Sequence, residues 1–582
     1  MSEIISNTSS VLGLTIGSVN TRAVLFDIVE GGYRIIATGE AGSTIYAPDR
    51  DARKAIIEAV KTLEDTTGAK LLDPEGNLLV GASMDGEGVG KLVLTTSCGL
   101  PLRVITLGLL DDMSLASVNR LATSMTGKVM DSIGINDRRK AHVQMDEMLN
   151  AKPDLLLFGG GTEDGASRSV MQMTRLISFM LQVTPRQRRP AVFYCGNSKL
   201  SKKIKNTLDR YTKVRVSANI RPDIDTERLE PAQADLGEML VELEASRIGG
   251  LKEIRRDCSV PPIPSNLGFS RVIRFLGSKY DPLKGALGVD LGASSSFACY
   301  SNQSKSSAVK VPYGTGAGVE QLLRDSSILE ITQWLDGSQS EGQVQDALWQ
   351  RSLFPASVPL SDHDLEVELA LVRQVLRRLM AELLQQPNVP SSRFEPILVS
   401  SSILNRVPDP RKALLAILDG IQPLGVTPVI LDRHAIAPML GAAAGLNPVL
   451  AAQVLETSAF THLATVINAA CKCRSGTPVL SARLEVSNGM TPAVKVRQGT
   501  IVALPLKYGE QAKLHLRKLR RLEIEDVDVT HAPINVTGGA CGVVIDARGR
   551  PLDLPENVFQ RRELLKSWQF SELGFVAHKL QQ

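Results

Sequence analysis

The 582-residue sequence has few aromatic residues, little net charge and no low-complexity segment or internal repeat. Aromatics make up 4%, which favours an α/β protein built from aliphatic residues. A net charge of +4 is small for this length, so we expect no nucleic-acid partner. The seven cysteines are odd in number and dispersed, a pattern typical of reduced thiols in a cytoplasmic protein.

Long hydrophobic runs are also scarce. The one charge-free stretch long enough to raise the question of a membrane span is Ala435–Leu455. It consists mostly of alanine, glycine and proline, which gain little on insertion into lipid. We therefore predict two short buried helices there and no membrane span. The first ten residues are polar and lack a basic start, so we expect no secretory signal.

The most chemically informative stretch begins with a predicted buried strand, Ala286–Val289, which delivers Asp290 to its end. Gly292 then opens a tight turn that carries Ser294 and Ser295. A glycine turn lets backbone N–H groups approach a phosphate, and small hydroxyls add hydrogen-bond donors. A carboxylate at the strand end is a ligand for a magnesium ion or its waters.

A similar but altered turn follows the first predicted strand. Gly17, Ser18 and Thr21 are its candidate phosphate-binding residues, while Thr15 takes the position equivalent to Asp290. Each turn is followed by a returning strand, so together they predict a split phosphate clamp.

A third glycine-rich turn contains Gly314 and Gly316 and opens a predicted helix from about Gly318. Glycine-rich turns at helix N-termini favour anions, so both glycines are further candidates for phosphate binding.

The length predicts three or four domains. Residues 10–90 read as strand, turn, two strands and helix. Residues 91–245 alternate strands with helices, which predicts an inserted, doubly wound parallel α/β domain. Residues 246–450 contain the second turn. We expect a helical connection over 451–475 and a separate β-rich module over 476–582.

The order of short motifs resembles the MutL/GlmL family, the ATPase-like proteins associated with glutamate mutase. The resemblance covers roughly Val11 to Pro448. The motifs are Thr15–Ser18, Thr96–Arg103, Pro153–Thr162, Cys195–Asn197, Leu229–Ala232, Val289–Gly292, Pro408–Pro410 and Leu431–Arg433.

The resemblance implies an actin-like (ribonuclease-H-type) fold, with split nucleotide-binding half-domains over 10–90 and 246–450. It also implies ATP and Mg2+ as cofactors, with Asp290 as both the catalytic and the metal-binding residue. The implied role is that of a chaperone or reactivating factor for an adenosylcobalamin-dependent mutase, whose subunits would be the partners. The chain lacks the Asp-x-His-x-x-Gly cobalamin-binding motif, so we do not expect it to be the mutase.

Two departures from the family pattern bear on activity. The family carries aspartate where this chain has Thr15, which removes one carboxylate from the metal site. Its late loop against the adenosine is glycine-rich, whereas Ser400, Ser401 and Ser402 stand in the corresponding place here, of which Ser401 and Ser402 are candidate binding residues. Phosphate binding and hydrolysis depend on different groups, so hydrolysis can be lost while binding is kept.

Two other readings therefore stay open. One is a degenerate actin-like scaffold that binds proteins without hydrolysing ATP. The other is a small-molecule kinase, for which Asp154, Asp164 and Asp432 are general-base candidates by position only. Homo-oligomerisation also stays open.

Overall fold

The computed structural model describes residues 9–568 except 82–86, 98–101, 128, 164, 391, 470–472, 521–523 and 525–531. The chain divides into two compact units. Unit 1 comprises Met1–Phe269, Ala308–Pro312 and Pro438–Ala451, and unit 2 comprises Ser270–Ser307, Tyr313–Ala437 and Ala452–Gln582.

Among the described residues as far as Lys279, ten strands and eight α-helices are formed. The strands are β1 (Val11–Ile16), β2 (Asn20–Val29), β3 (Gly32–Gly42), β4 (Lys91–Thr96), β5 (Val104–Leu107), β6 (Val129–Ile133), β7 (Leu155–Phe158), β8 (Ala191–Tyr194), β9 (Val214–Val216) and β10 (Ile263–Pro264). The helices are α1 (Ala52–Thr67), α2 (Ala116–Met125), α3 (Ala141–Ala151), α4 (Ser167–Val183), α5 (Ser201–Leu208), α6 (Glu230–Ala245), α7 (Leu251–Asp257) and α8 (Ser265–Lys279).

The first sheet has the order β10-β4-β1-β2-β3. Strands β1, β2 and β3 form an antiparallel meander, while β4 pairs parallel to β1 and β10 parallel to β4. The sequence pattern predicted that β4 begins the inserted domain. Its pairing with β1 and β10 corrects this prediction, because it places β4 in the first sheet. A run such as Leu92–Thr95 is buried on both faces, so its sequence does not show which sheet it joins.

The inserted sheet has the order β6-β5-β7-β8-β9, and all of its strand pairs are parallel. Helices α2 to α5 alternate with these strands along the chain, as the pattern predicted. Order and alternation together make this a doubly wound sheet.

In the described part of the chain after Lys279, thirteen strands and nine α-helices follow. The strands are β11 (Ala286–Leu291), β12 (Ser296–Ser301), β13 (Ser306–Val311), β14 (Ile397–Ser401), β15 (Val426–Asp432), β16 (Phe460–Asn468), β17 (Pro478–Val486), β18 (Gly489–Met490), β19 (Val494–Arg497), β20 (Ile501–Leu504), β21 (Gln511–Lys518), β22 (Ile534–Thr537) and β23 (Val543–Asp546). The helices are α9 (Val319–Asp325), α10 (Leu329–Thr332), α11 (Glu341–Leu353), α12 (Asp362–Leu384), α13 (Ser402–Arg406), α14 (Pro410–Ile421), α15 (Ala437–Ala443), α16 (Pro448–Leu455) and α17 (Val558–Ser567).

The second sheet repeats the strand order of the first. Strand β11 pairs antiparallel with β12 and parallel with β14, and β14 pairs parallel with β15. These relations match those of β1 with β2, of β1 with β4 and of β4 with β10. Two α/β halves with one topology, separated by an inserted parallel sheet, confirm the predicted actin-like fold class.

The C-terminal part departs from the prediction in two ways. Residues 451–475 are not a helical connection, because β16 follows α16 and pairs antiparallel with β15. Residues 476–582 do not form a separate module, since β23 pairs with β16 and β20 with β23, so both strands extend the second sheet. Strands β17, β18, β19, β21 and β22 do form a smaller sheet of their own. Short apolar runs gave no sign of these long-range pairings.

Unit 1 contains a close approach between two glycines. A Cβ added to Gly441 would lie 1.8 Å from the carbonyl oxygen of Gly268, and one added to Gly268 would lie 2.1 Å from that of Pro438. Backbone atoms cannot yield as a flexible side chain does, so this packing requires glycine. The helix interruption at residues 444–447 agrees with the predicted pair of short helices.

We predict that Gly441→Ala destabilises the protein by about 1–3 kcal/mol through overpacking. Thermal unfolding followed by calorimetry should show a lower melting temperature. The matched control is Gly342→Ala in α11, where nothing lies within 4 Å of the added Cβ. That change should raise stability by about 0.5–1 kcal/mol, because alanine favours a helix over glycine. Equal effects at both sites would contradict this account.

Candidate phosphate-binding turns

Asp290 lies at the end of β11, between two neighbouring strands. It is in register with Phe297 on β12 and with Ser400 on β14. The turn that follows requires glycine, because a Cβ on Gly292 would lie 2.6 Å from the carbonyl oxygen of Ser295. The side chain of Asp290 is half-buried, as are Ser294 and Ser295. The structure thus presents the carboxylate and both hydroxyl residues at one strand end.

The third glycine turn packs directly against this one. The N–H groups of Gly316 and Gly318 both donate to the carbonyl oxygen of Ala293, each at 2.9 Å, and the N–H of Thr315 donates to that of Gly292 at 3.0 Å. The two segments, which the sequence separates by about twenty residues, therefore form one backbone cluster. We call residues 290–295 and 314–318 the Asp290 cluster.

Close backbone packing explains why the second segment of the cluster is rich in glycine. A Cβ on Gly314 would lie 2.3 Å from the carbonyl oxygen of Ala293, and one on Gly318 would lie 2.3 Å from the nitrogen of Gly314. Gly314 and Gly316 are buried. The structure therefore gives these two glycines a supporting role behind the turn.

The late serine segment is built into a strand end and a helix start. The hydroxyl of Ser401 is the N-cap of α13 and accepts the N–H of Leu404 at 3.3 Å, while Ser402 is the first residue of that helix. The Ser401 side chain is thus engaged in capping, and Ser402 is half-buried.

Ser400 belongs to the serine loop recognised in the sequence but was not among the candidate binding residues. It lies directly beside Asp290 in the parallel register, so both side chains emerge on the same face of the sheet. It is 1% exposed, and its hydroxyl has no hydrogen-bond partner in the described structure. A buried hydroxyl without a partner is costly, so Ser400 adds an unused hydrogen-bonding group beside Asp290. Only the strand register could have identified it.

Two of the three aspartates considered as kinase general bases are engaged in hydrogen bonds or ion pairs within the protein. Asp432 is fully buried and accepts the N–H groups of Ile436 and Ala437 at 3.0 and 2.9 Å. Burial acts to raise the pKa of Asp154, but hydrogen bonds from Arg103 and the charges of Arg103 and Arg247 hold it below its ordinary value. Asp164 lies outside the described residues.

The first turn, in unit 1, is a tight hairpin. The N–H of Gly17 donates to the carbonyl oxygen of Asn20 at 2.9 Å, and the Gly17 carbonyl accepts the hydroxyl of Ser43 at 2.8 Å. Ser18 is half-buried. Thr21, by contrast, is fully buried, and its hydroxyl has no partner among the described residues. The three predicted residues thus share one turn, but only Gly17 and Ser18 lie near its surface.

The side chain of Thr15 is hydrogen-bonded to a neighbouring strand. Its hydroxyl lies 2.8 Å from that of Thr95 on the neighbouring β4. The next residue, Thr96, donates its hydroxyl to Glu244 at 2.7 Å. Because side chains alternate along a strand, Thr95 and Thr96 face opposite sides of the sheet. Glu244 therefore does not replace the carboxylate missing at position 15.

A cavity of unit 1 lies away from the candidate turns. It has a volume of about 690 Å³ and is lined by parts of α3 and α4, including His142, Met173 and Phe179. None of the predicted site residues lines it. The described residues contain no group of three or more His, Cys, Asp or Glu side chains placed to hold a metal ion, and none of their helices is long and apolar enough to cross a membrane.

A model of the MutL protein family matches residues 11–459. The chain belongs to the MutL protein family. A curated relative, Protein MutL of Clostridium tetanomorphum, is 22% identical over 282 residues. That match covers 48% of this chain and 55% of the relative, so the chain spans about half the length of the curated relative it matches.

Solved structures are similar at lower identity. A glycerol dehydratase reactivase is 11% identical with a TM-score of 0.28, and the match covers 71% of this chain and 95% of that one. A diol dehydratase-reactivating factor in nucleotide-free form is 10% identical with a TM-score of 0.31, with coverage of 75% and 99%. Because these TM-scores are below 0.5, we base no functional inference on either superposition.

Glu244 gives unit 1 a measurable pH dependence. Burial raises the pKa of its carboxyl from 4.5 to about 7, against the opposing hydrogen bond from Thr96 and the charges of Lys310 and Arg247. Between these two values the folded chain keeps a proton that the unfolded chain has released. Stability must therefore fall as the pH rises through this window.

We predict that Glu244→Gln reduces this loss of stability between about pH 5 and pH 8, since glutamine still accepts the Thr96 hydroxyl but does not titrate. Thermal unfolding measured across that range is the test. The control is Glu253→Gln on the exposed side of α7, which should leave the pH profile as in the wild type. An unchanged profile in Glu244→Gln would contradict the prediction.

Proposed function

We propose that this chain is an ATP-binding accessory protein, a chaperone or reactivating factor for an adenosylcobalamin-dependent carbon-skeleton mutase such as glutamate mutase. Family membership supports the association with a mutase. The observation that carries the nucleotide part is the Asp290 cluster, in which a carboxylate, a glycine turn and a buried hydroxyl without a partner meet at one strand end.

The residues of the cluster fit a magnesium nucleotide. The turn at Gly292 would hold phosphate through backbone N–H groups, with Ser294 and Ser295 adding hydroxyl donors. Asp290 would hold Mg2+ or its waters, and Ser400 is available to the same group. The metal ion supplies the charge that offsets the phosphates. The protein's residues position the nucleotide.

The remaining candidate residues have different roles in this proposal. Gly17 and Ser18 form a second phosphate-binding segment, and Thr21 supports that turn from beneath. Gly314 and Gly316 hold the Asp290 turn in shape. Ser401 and Ser402 bring the start of α13 close to Ser400 and so remain candidates for contact with the nucleoside.

A degenerate actin-like scaffold that binds other proteins without hydrolysing ATP is the second candidate function. The observation that favours it is the bond between Thr15 and Thr95, which occupies the place of the missing carboxylate. Phosphate release measured in the presence of Mg2+ separates the two. Turnover in the wild type that Asp290→Asn abolishes favours the ATPase. Binding without turnover favours the scaffold.

The mutase association needs its own test. The full chain, immobilised and loaded with ATP and Mg2+, should retain a cobalamin-dependent mutase from an extract of its native cell. A mutase recovered equally well on an immobilised unrelated protein would contradict the association.

We predict that Asp290→Asn weakens the binding of ATP in the presence of Mg2+ by about tenfold, because the metal loses its charged ligand. Binding without Mg2+ should change little, since the backbone donors of the turn remain. Isothermal titration calorimetry with ATP, with and without Mg2+, gives both values. The matched control is Asp346→Asn on the exposed side of α11, which should bind as the wild type does. If Asp290→Asn also binds like the wild type with Mg2+, the assignment of the metal site is wrong.

A further inference from the structure

Unit 2 contains a small pocket that shares no residue with the Asp290 cluster. It has a volume of about 260 Å³, and its walls come from α12, α14, α17 and the segment after α10. Its buried residues include two tryptophans and one ion pair, Trp334, Trp568, Arg373 and Asp419, each less than 9% exposed. Nothing in the proposed nucleotide site requires this arrangement.

The ion pair belongs to a buried network that carries excess positive charge. Arg373 binds one oxygen of Asp419 at 2.8 Å, and Arg548 binds the other at 2.7 Å. Arg548 and Arg550 also pair with Asp546, at 2.8 and 2.6 Å. Three guanidinium groups thus face two carboxylates, which leaves one positive charge without a counter-charge inside the network. Buried charges are costly unless they are paired.

Two hydrogen-bond donors of the pocket wall are left unused. Nη1 of Arg373 and Nε1 of Trp334 are both buried and have no hydrogen-bond partner among the residues that the structure describes. The two side chains are adjacent, since the guanidinium carbon of Arg373 lies 5.5 Å from the centre of the Trp334 ring. Both oxygens of Asp419 are already engaged by arginines. The missing component is therefore an acceptor, and the residual charge indicates that it is an anion.

We propose that this pocket binds a small oxyanion, a carboxylate or phosphate group, through Arg373 and Trp334. A planar guanidinium matches both groups geometrically, and hydrogen bonds between ionised groups are the strongest of their kind. The indole N–H of Trp334, whose ring lies beside the Arg373 guanidinium, adds a second donor. The volume limits the ligand to a small molecule.

The pocket also joins distant parts of unit 2. Trp568 stacks under Arg548, with the guanidinium carbon 4.9 Å from the ring centre, and its indole N–H donates to the carbonyl oxygen of Gly499 at 3.0 Å. Arg562, on α17, lines the same pocket as Lys412, on α14. An anion bound here would therefore hold α17 against α12 and α14. Its binding would stabilise the folded chain.

The test titrates the full-length protein with inorganic phosphate and, separately, with succinate, at constant ionic strength set by chloride. Calorimetry gives the Kd, and thermal unfolding gives the shift in melting temperature. We expect saturable binding of at least one anion and a higher melting temperature. Binding of phosphate alone identifies a phosphoryl ligand, and binding of succinate alone identifies a carboxylate. Absence of saturable binding for both would overturn the proposal.

Two variants test the residues. Trp334→Phe keeps an aromatic ring and removes the N–H. Arg373→Lys keeps the positive charge beside Asp419 and removes the guanidinium donor Nη1. Each should raise the Kd by about tenfold, the expected loss for one hydrogen bond to a charged group. The exposed pair of α9 supplies the control, Arg324→Gln, which should bind as the wild type does. Equal weakening in this control, or wild-type affinity in both pocket variants, would overturn the proposal. Anion binding should persist when the protein is saturated with ATP and Mg2+, which separates this site from the nucleotide site.

Discussion

The carbonyl oxygen of Ala293 accepts two N–H groups, from Gly316 and Gly318, and the candidate site depends on this backbone contact. The contact requires glycine at 314 and 318, because a Cβ at either would meet backbone atoms at 2.3 Å. It fixes the turn that follows β11 and, with it, the direction in which Ser294 and Ser295 emerge. A turn of this kind is held from behind by backbone, so its side chains are not needed to hold its shape.

The two halves of the fold use the same strand order for different local chemistry. In unit 2 the first strand ends in a carboxylate next to an unpartnered hydroxyl, at Asp290 and Ser400. In unit 1 the equivalent strand ends in Thr15, whose hydroxyl bonds to Thr95. The carboxylate and hydroxyl of unit 2 are suited to a hydrated cation. The two threonines of unit 1 form an uncharged hydrogen bond between neighbouring strands. The proposed metal site therefore depends on the second half.

Local sequence predicted the features that depend on neighbouring residues. Asp290 at a strand end and the turn at Gly292 follow from a buried apolar run ended by glycine. The helix pair around Gly445 follows from composition. The role of Ser400 could not be predicted in this way, since it depends on the register between β11 and β14, which are more than one hundred residues apart. The pairing of β23 with β16 was missed for the same reason. The buried network of Arg373, Asp419 and Arg548 likewise joins three distant segments.

The central claim is that the Asp290 cluster binds the phosphates of a nucleotide. Hydrogen–deuterium exchange of the full chain, with and without ATP and Mg2+, tests it most directly. The account predicts slower exchange of the backbone amides over residues 291–297 and 313–319 when nucleotide is bound. Unchanged exchange in both segments under conditions in which nucleotide demonstrably binds would contradict it.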